Sequence, residues 1–465
     1  MNRRKLVSHI VGPGLTAAIT FVTLPILSAF YSVDDIGRFS MLQLAVNLSV
    51  ILFSVGLHQA YVREYFESNN RPALTSVLIS IPTLLFIICI LLVEFTGIDI
   101  SLLLFDKQSN SLSILALFCI LGGVFTHLTN HILRMEEKIS SYAVMLFMPK
   151  LTVLIVSLFF IFHYDNLEFK LLVYALFFAS CVSILFSLYL NRLTLIKACK
   201  SGFEHRLAQD MLRFGSPLVI AGLAFWLLTA MDKLFLKEIS TYRELGYYSI
   251  AVNFTAVITL FSTILMNIWN PIVYKWSAKK APVSDYYDVM KLMLLVSLIL
   301  WSLAGIFSWI LPLILPNDLN SVESLFLLLI GGPILKLLSE VTKVGIGIKR
   351  KSLLTIIPVF VAVVVNGVLN YFLIPTLGAK GAAIASLFAF YALLVCRTEL
   401  SRWVWNPFPR VKIYTICLIY LCMSIFLTEI VNDGYLRFCI WSIFLFLNIY
   451  FGRGIIERFK KNRLI

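Results

Sequence analysis

Apolar runs long enough to cross a bilayer recur from one end of this chain to the other. About 18–20 such residues wound as a helix span the ~30 Å hydrocarbon core. No water-soluble helix carries apolar residues on every face unless protein surrounds it. Alternating segments of about ten residues, the mark of a membrane β-barrel, do not occur. With 60% hydrophobic and 14% charged residues, the chain falls well short of the roughly one-quarter charge of soluble domains. It reads as an all-α polytopic membrane protein.

Counting runs between polar breaks gives about 14 transmembrane helices. Their centres fall near Ile19, Val50, Pro82, Gly122, Val153, Phe178, Gly222, Val257, Trp301, Ile334, Val364, Phe388, Leu418 and Phe444. The first run follows Asn2-Arg3-Arg4-Lys5 like a secretion signal. It is longer than a signal's apolar core and leads straight into a second span, so a retained helix is expected. Assigning alternate loops to opposite sides puts 27 Lys/Arg on one face and 8 on the other, Arg350 and Arg397 among the 27. That asymmetry predicts both termini in the cytoplasm. The net charge of +14 is then a matter of topology and anionic lipid. The bases form no continuous patch for nucleic acid. The eight cysteines lie mostly inside spans, and their spacing predicts neither disulfides nor a metal site.

The chain also repeats itself. "LPILSAFYSVDDIGRFSM" (24–41) resembles "LTAMDKLFLKEISTYRELGYYSI" (228–250), with Asp35-Ile36-Gly37 matching Glu244-Leu245-Gly246. Two pseudo-symmetric six-helix lobes follow, over residues 1–200 and 207–405. Two further helices and a basic tail occupy 409–465. Parallel repeats of this kind are a transporter arrangement.

Four bases fall inside spans: Lys150, Arg213, Lys291 and Lys336. A charge at a span centre costs about 2.5–3.5 kcal/mol on insertion scales, so each needs a reason. Lys336 and Lys150 sit nearest the middle. Arg213 and Lys291, about two turns from a helix end, are close enough to reach headgroups by snorkelling. Glu340 lies one helical turn from Lys336 and forms the expected ion-pair or coupling group with it. Asp232 and Lys233 are expected to close the seventh helix, Asp232 as a second ion-pair or coupling group. Gln43, Asn47, Asn253, Asn267, Asn270, Asn366 and Asn370 are expected to hydrogen-bond between helices. His127 and His131 share a helix face, with no third ligand in view.

Two stretches resemble a known family. "FGSPLVIAGLAFWLLTAMDKLFLKEISTYRELGYYSIAVNF" (214–254) is similar to the seventh–eighth helix signature of bacterial polysaccharide flippases. "VVVNGVLNYFLIPTLGAKGAAIAS" (363–386) is similar to their eleventh–twelfth. The chain is thus identified as a member of the Wzx-type O-antigen flippases of the multidrug/oligosaccharidyl-lipid/polysaccharide (MOP) superfamily. The resemblance implies a MATE-like fold in the bacterial inner membrane and no enzymatic activity. It implies transfer of an undecaprenyl-pyrophosphate-linked oligosaccharide from the cytoplasmic to the periplasmic leaflet by alternating access. Other polysaccharide assembly proteins are expected partners.

For such cargo Lys336, Lys150, Arg213 and Lys291 would form a cationic cavity for the pyrophosphate, because charge-assisted bonds to phosphate are strong. No cofactor is expected beyond coupling to H+ or Na+. Two alternatives share the fold: a peptidoglycan-precursor (lipid II) flippase and a cation-coupled multidrug antiporter. The antiporter would want deep carboxylates in its first lobe, and the spans before residue 200 have none near their centres. An enzyme would want a large extramembrane loop or a clustered acid pair, and neither is present.

Overall fold

Inside a bilayer a backbone must satisfy its own polar groups, so spanning segments are driven to helix. A computed structural model describes residues 3–461 except 69, 281, 350, 406–408 and 432. Asn2 and Arg350 therefore lie outside the described residues, as do the side chains of Arg3, Arg4, Lys5, Asn267 and Asn270. Among the described residues there are helices and no strands, and 14 helical segments are long and apolar enough to cross a membrane. Each centre read from the sequence falls within one of them.

The chain divides into two compact units, Met1–Trp226 and Leu227–Ile465. The first holds α1 (Arg3–Phe30), α2 (Val33–Ser54), α3 (Leu57–Glu64), α4 (Arg71–Thr96), α5 (Ile100–Phe105), α6 (Asn110–Met135), α7 (Ile139–His163), α8 (Phe169–Ser201) and the greater part of α9 (His205–Ile239). Here α7 packs against both α1 and α8, while α6 packs between α2 and α8. The turn after α2 is forced by backbone geometry. Val55 and Gly56 take positive φ of 46° and 70°, ending the helix. A Cβ on Gly56 would lie 2.2 Å from the Gly215 carbonyl oxygen, so only glycine fits this close approach.

The second unit holds the end of α9, then α10 (Tyr242–Ala278), α11 (Val283–Ile306), α12 (Leu311–Ile314), α13 (Ser321–Leu329), α14 (Gly331–Thr342), α15 (Val344–Ile348), α16 (Ile356–Leu377), α17 (Ala379–Val404), α18 (Arg410–Glu429) and α19 (Gly434–Lys461). The tenth span, α13 to α15, is the most enclosed: 78% of its most apolar stretch is buried. It packs on α10, α11 and α17. The final pair also belongs to this unit. Trp301 on α11 donates to Ser424 Oγ on α18 at 3.1 Å, and Asn448 on α19 donates to Tyr420 Oη on α18 at 2.5 Å. The lobe boundary read at 201–206 is a turn between helices, whereas the division between the compact units falls inside the continuous α9.

The internal repeat has a structural counterpart. Ser32 caps α2 by accepting from Asp35 N at 3.1 Å, and Thr241 caps α10 by accepting from Glu244 N at 3.2 Å. In both copies a hydroxyl fills the first orphan donor of a helix, three residues before the acid.

Candidate functional site

In the second unit the two quoted signatures meet on a single carboxylate. Asp232 is 1% exposed. It lies two turns inside α9, which continues to Ile239, so the expectation that it closes the helix is corrected. The helix persists because Asp232 bonds away from its own backbone. Asn366 and Asn370 on α16 donate to Oδ1 at 2.9 and 2.7 Å. The hydroxyls of Tyr248 on α10 and Ser386 on α17 donate to Oδ2. Asn366 and Asn370, one turn apart, also bond each other at 3.1 Å. Four donors from three helices thus converge on one buried charge, which is what a low-dielectric interior demands. The expectation of interhelical hydrogen bonding for Asn366 and Asn370 describes this network.

A second link joins the same signatures. Glu244 accepts from Ala379 N at 2.8 Å and so caps α17. Gly378, at φ 55°, makes the turn that brings that N–H into place. The Gly-x-x-Gly-Ala-Ala element is therefore a helix start fitted around Glu244.

Lys336 lies on α14 beside two small cavities that share Thr259, Pro333 and Lys336 in their walls. One, of about 190 Å³, extends to Asp232, Lys233 and Ser386. The other, of about 180 Å³, extends to Ser262, Thr263 and Glu340. Lys336 thus stands in the wall of both cavities, with Asp232 in one and Glu340 in the other. Two other bases hold Glu340: Arg397 Nη1 donates to it at 2.6 Å, and Lys343 Nζ forms a second ion pair. Lys336, Lys343 and Arg397 with Glu340 form a group of three bases and one acid, with Lys336 in the wall of both cavities.

Arg397 had been grouped with the loop bases. It lies within α17 and is 5% exposed, because its charge is spent on Glu340 and on Ser339 Oγ at 3.0 Å. The signal in the sequence was indirect: a mid-span carboxylate requires a base, and α17 runs on past Val395 without a breaker. Tyr248 and Ser386 gave no signal of their own, being ordinary residues on apolar helices.

The other three bases fall elsewhere. Lys291 on α11 pairs with Asp288, three residues earlier, at 3.2 Å, with 43% of its side chain exposed. Arg213 on α9 is exposed, in the first unit. Lys150 lies mid-way along α7 in the first unit, half-buried, with no hydrogen-bond or ion-pair partner among the described residues. It is the one base of the four that is both central to its span and uncompensated.

The family match includes the first of the two motifs. Residues 3–275, more than half the chain, match the polysaccharide biosynthesis protein family. The chain belongs to that family. The fold resembles the lipid II flippase MurJ in an inward closed conformation, at a TM-score of 0.73 and 15% identity, covering 98% of this chain and 100% of that one. It also resembles an inward-facing multidrug resistance MATE transporter of the MOP superfamily, at 0.57 and 16%, covering 86% and 94%. A third likeness is to a MOP superfamily transporter from Pyrococcus furiosus, at 0.54 and 15%, covering 85% and 93%. No curated protein matches the sequence.

Proposed function

We propose that the chain is a flippase that carries undecaprenyl-pyrophosphate-linked oligosaccharide, an O-antigen repeat unit, from the cytoplasmic to the periplasmic leaflet by alternating access. Family membership supports a lipid-linked polysaccharide precursor as cargo. The observation that carries the reading is the Lys336 wall. Three bases against the single acid Glu340 give this group a net charge of +2, which favours an anionic headgroup, and charge-assisted bonds from such bases to phosphate are strong. A cationic drug would meet repulsion there. Lys150, uncompensated in the first unit, is the second base we assign to the headgroup. The chain sits in the inner membrane with both termini cytoplasmic, as the loop charges indicate. It acts as a transporter and not as an enzyme.

The Asp232 network is the coupling site in this reading, for H+ or Na+. Its hard oxygens suit a small cation, and Asn370 Oδ1, buried beside the carboxylate, has no hydrogen-bond partner among the described residues. Glu340 is the weaker coupling candidate, since two bases already hold it.

One observation favours a second reading. Likeness to the lipid II flippase runs through nearly the whole chain, all 14 spans included. Complementation separates the two. In the source bacterium deprived of this gene, the wild-type gene should restore surface glycan, and Lys336→Ala at equal membrane abundance should not. Restoration by both would remove Lys336 from the site. Restoration of growth in cells depleted of their lipid II flippase, without any glycan phenotype, would replace the O-unit by lipid II. Replacing external Na+ by K+ should slow glycan export if Na+ drives the cycle and leave it unchanged if H+ does.

A further inference from the structure

The first unit contains a half-buried histidine cluster that the transport reading does not use. His127 and His131 stand one turn apart on α6, and α3 brings His58 against both. Their rings form a near-equilateral triangle with centroids 4.9, 5.0 and 4.9 Å apart. One ring nitrogen from each lies within 4.8 Å of the other two. His58 Nδ1, His127 Nε2 and His131 Nδ1 are each shut off from solvent without a hydrogen-bond partner. Such an orphan destabilises the folded chain, and packing three around one point repeats the cost. A buried polar group left unsatisfied asks for a missing ligand.

We infer that His58, His127 and His131 form a binding site for a divalent transition metal, with Zn2+ the first choice. Imidazole is a preferred ligand of Zn2+, and two histidines at i, i+4 on a helix are a chelating pair. Tetrahedral Zn–N bonds of about 2.0–2.1 Å place the nitrogens about 3.4 Å apart. The cluster therefore has to close by about 1.4 Å at most, which ring rotation supplies. Three protein ligands leave a fourth position open. A cavity of about 130 Å³ lined by His58, His127, Gln59 and Ser54 adjoins the rings, with ample room for water there. The absence of a thiolate or carboxylate ligand favours Zn2+, Cu2+ or Ni2+ over Mg2+ or Ca2+.

The location gives the ion a task. His58 is the second residue of α3, two residues beyond the left-handed turn at Gly56, whose backbone touches Gly215 on α9. Binding would pin that corner to α6. This inference stands apart from the identity of the cargo and survives if the flippase assignment fails.

The test uses the full chain, purified in detergent with a tag that contains no histidine and stripped with chelator. Zn2+ is titrated against a chromophoric competitor, and the zinc-loaded wild type is examined by X-ray absorption. One Zn2+ per chain should bind. His58→Gln, His127→Gln and His131→Gln should each weaken it at least about 100-fold, since loss of even an outer partner costs 10–100-fold. The absorption spectrum should show a nitrogen/oxygen shell near 2.0–2.1 Å with imidazole scattering from three rings. Absence of stoichiometric binding, wild-type affinity in all three variants, or a spectrum without imidazole would each overturn the proposal. Because the spectrum is read on the wild type, misfolding of a variant cannot mask the answer.

Discussion

The Asp232 network in the second unit and the histidine triangle in the first both place polar atoms out of reach of solvent between helices, yet they treat those atoms in opposite ways. Asp232 has a donor for every side of its carboxylate, drawn from α10, α16 and α17. The triangle brings three rings together and leaves a nitrogen on each without a partner. The carboxylate of the first has all its donors from within the chain, with only Asn370 Oδ1 beside it unpartnered among the described residues; the second is complete only with something added. The contrast teaches that burial of polar residues in a membrane protein has to be judged by what each atom bonds to. A satisfied network holds helices together, and an unsatisfied one marks a place for a ligand.

The strongest way to break this comparison is Asp232→Leu. It strands the donors of Asn366, Asn370, Tyr248 and Ser386, each at about 1–3 kcal/mol. Thermal unfolding in detergent should show a loss of at least ~3 kcal/mol, and membrane abundance should fall; an unchanged midpoint would mean the network is not structural. His127→Leu, made in metal-free protein, should shift the midpoint by less than ~1 kcal/mol, because no hydrogen bond of its Nε2 is lost.

Zinc sharpens the same contrast. At a hundredfold excess over its dissociation constant, Zn2+ should stabilise the wild type by about 2.7 kcal/mol and leave His127→Leu unmoved. Gly56→Ala tests the corner between α2 and α3. Overpacking and a positive φ together predict a loss of about 1–3 kcal/mol, and weaker zinc binding if the corner positions His58. The smallest effect is expected from Lys291→Ala. Its ion pair with Asp288 is half-exposed, so stability should change by less than ~0.5 kcal/mol. Glycan export should keep most of its wild-type level if Lys291 is held by Asp288 alone, and a large loss of export would return it to the headgroup site.

The 14 spans, the matching Asp35-Ile36-Gly37 and Glu244-Leu245-Gly246, and the mid-span position of Lys336 and Lys150 were legible in the sequence. Each rests on local chemistry: apolar run length, an acid, an apolar residue and a glycine repeated in order, a base far from either end of a run. Asp232 was visible as an acid in a signature but was placed at a helix end. An acid followed by a lysine and later polar residues looks like a terminus when its four distant donors are out of sight. The eight residues from Asp232 to Ile239 stay helical because Asn366, Asn370, Tyr248 and Ser386 make the charge tolerable.

Sequence alone therefore determined that this chain is helical and polytopic, where most spans lie, which of its halves repeats the other and that charges stand within the bilayer. These follow from periodicity and transfer free energy, which act along the chain. Tertiary structure alone decided that Arg397 and Lys343 take up Glu340, that Lys291 is held on its own helix, and that His58 completes a triangle with His127 and His131. Except where a helical turn suffices, those pairings join residues from 57 to 73 positions apart. Which side chains meet across packed helices depends on how the spans rotate against one another, and no short stretch of sequence carries that information.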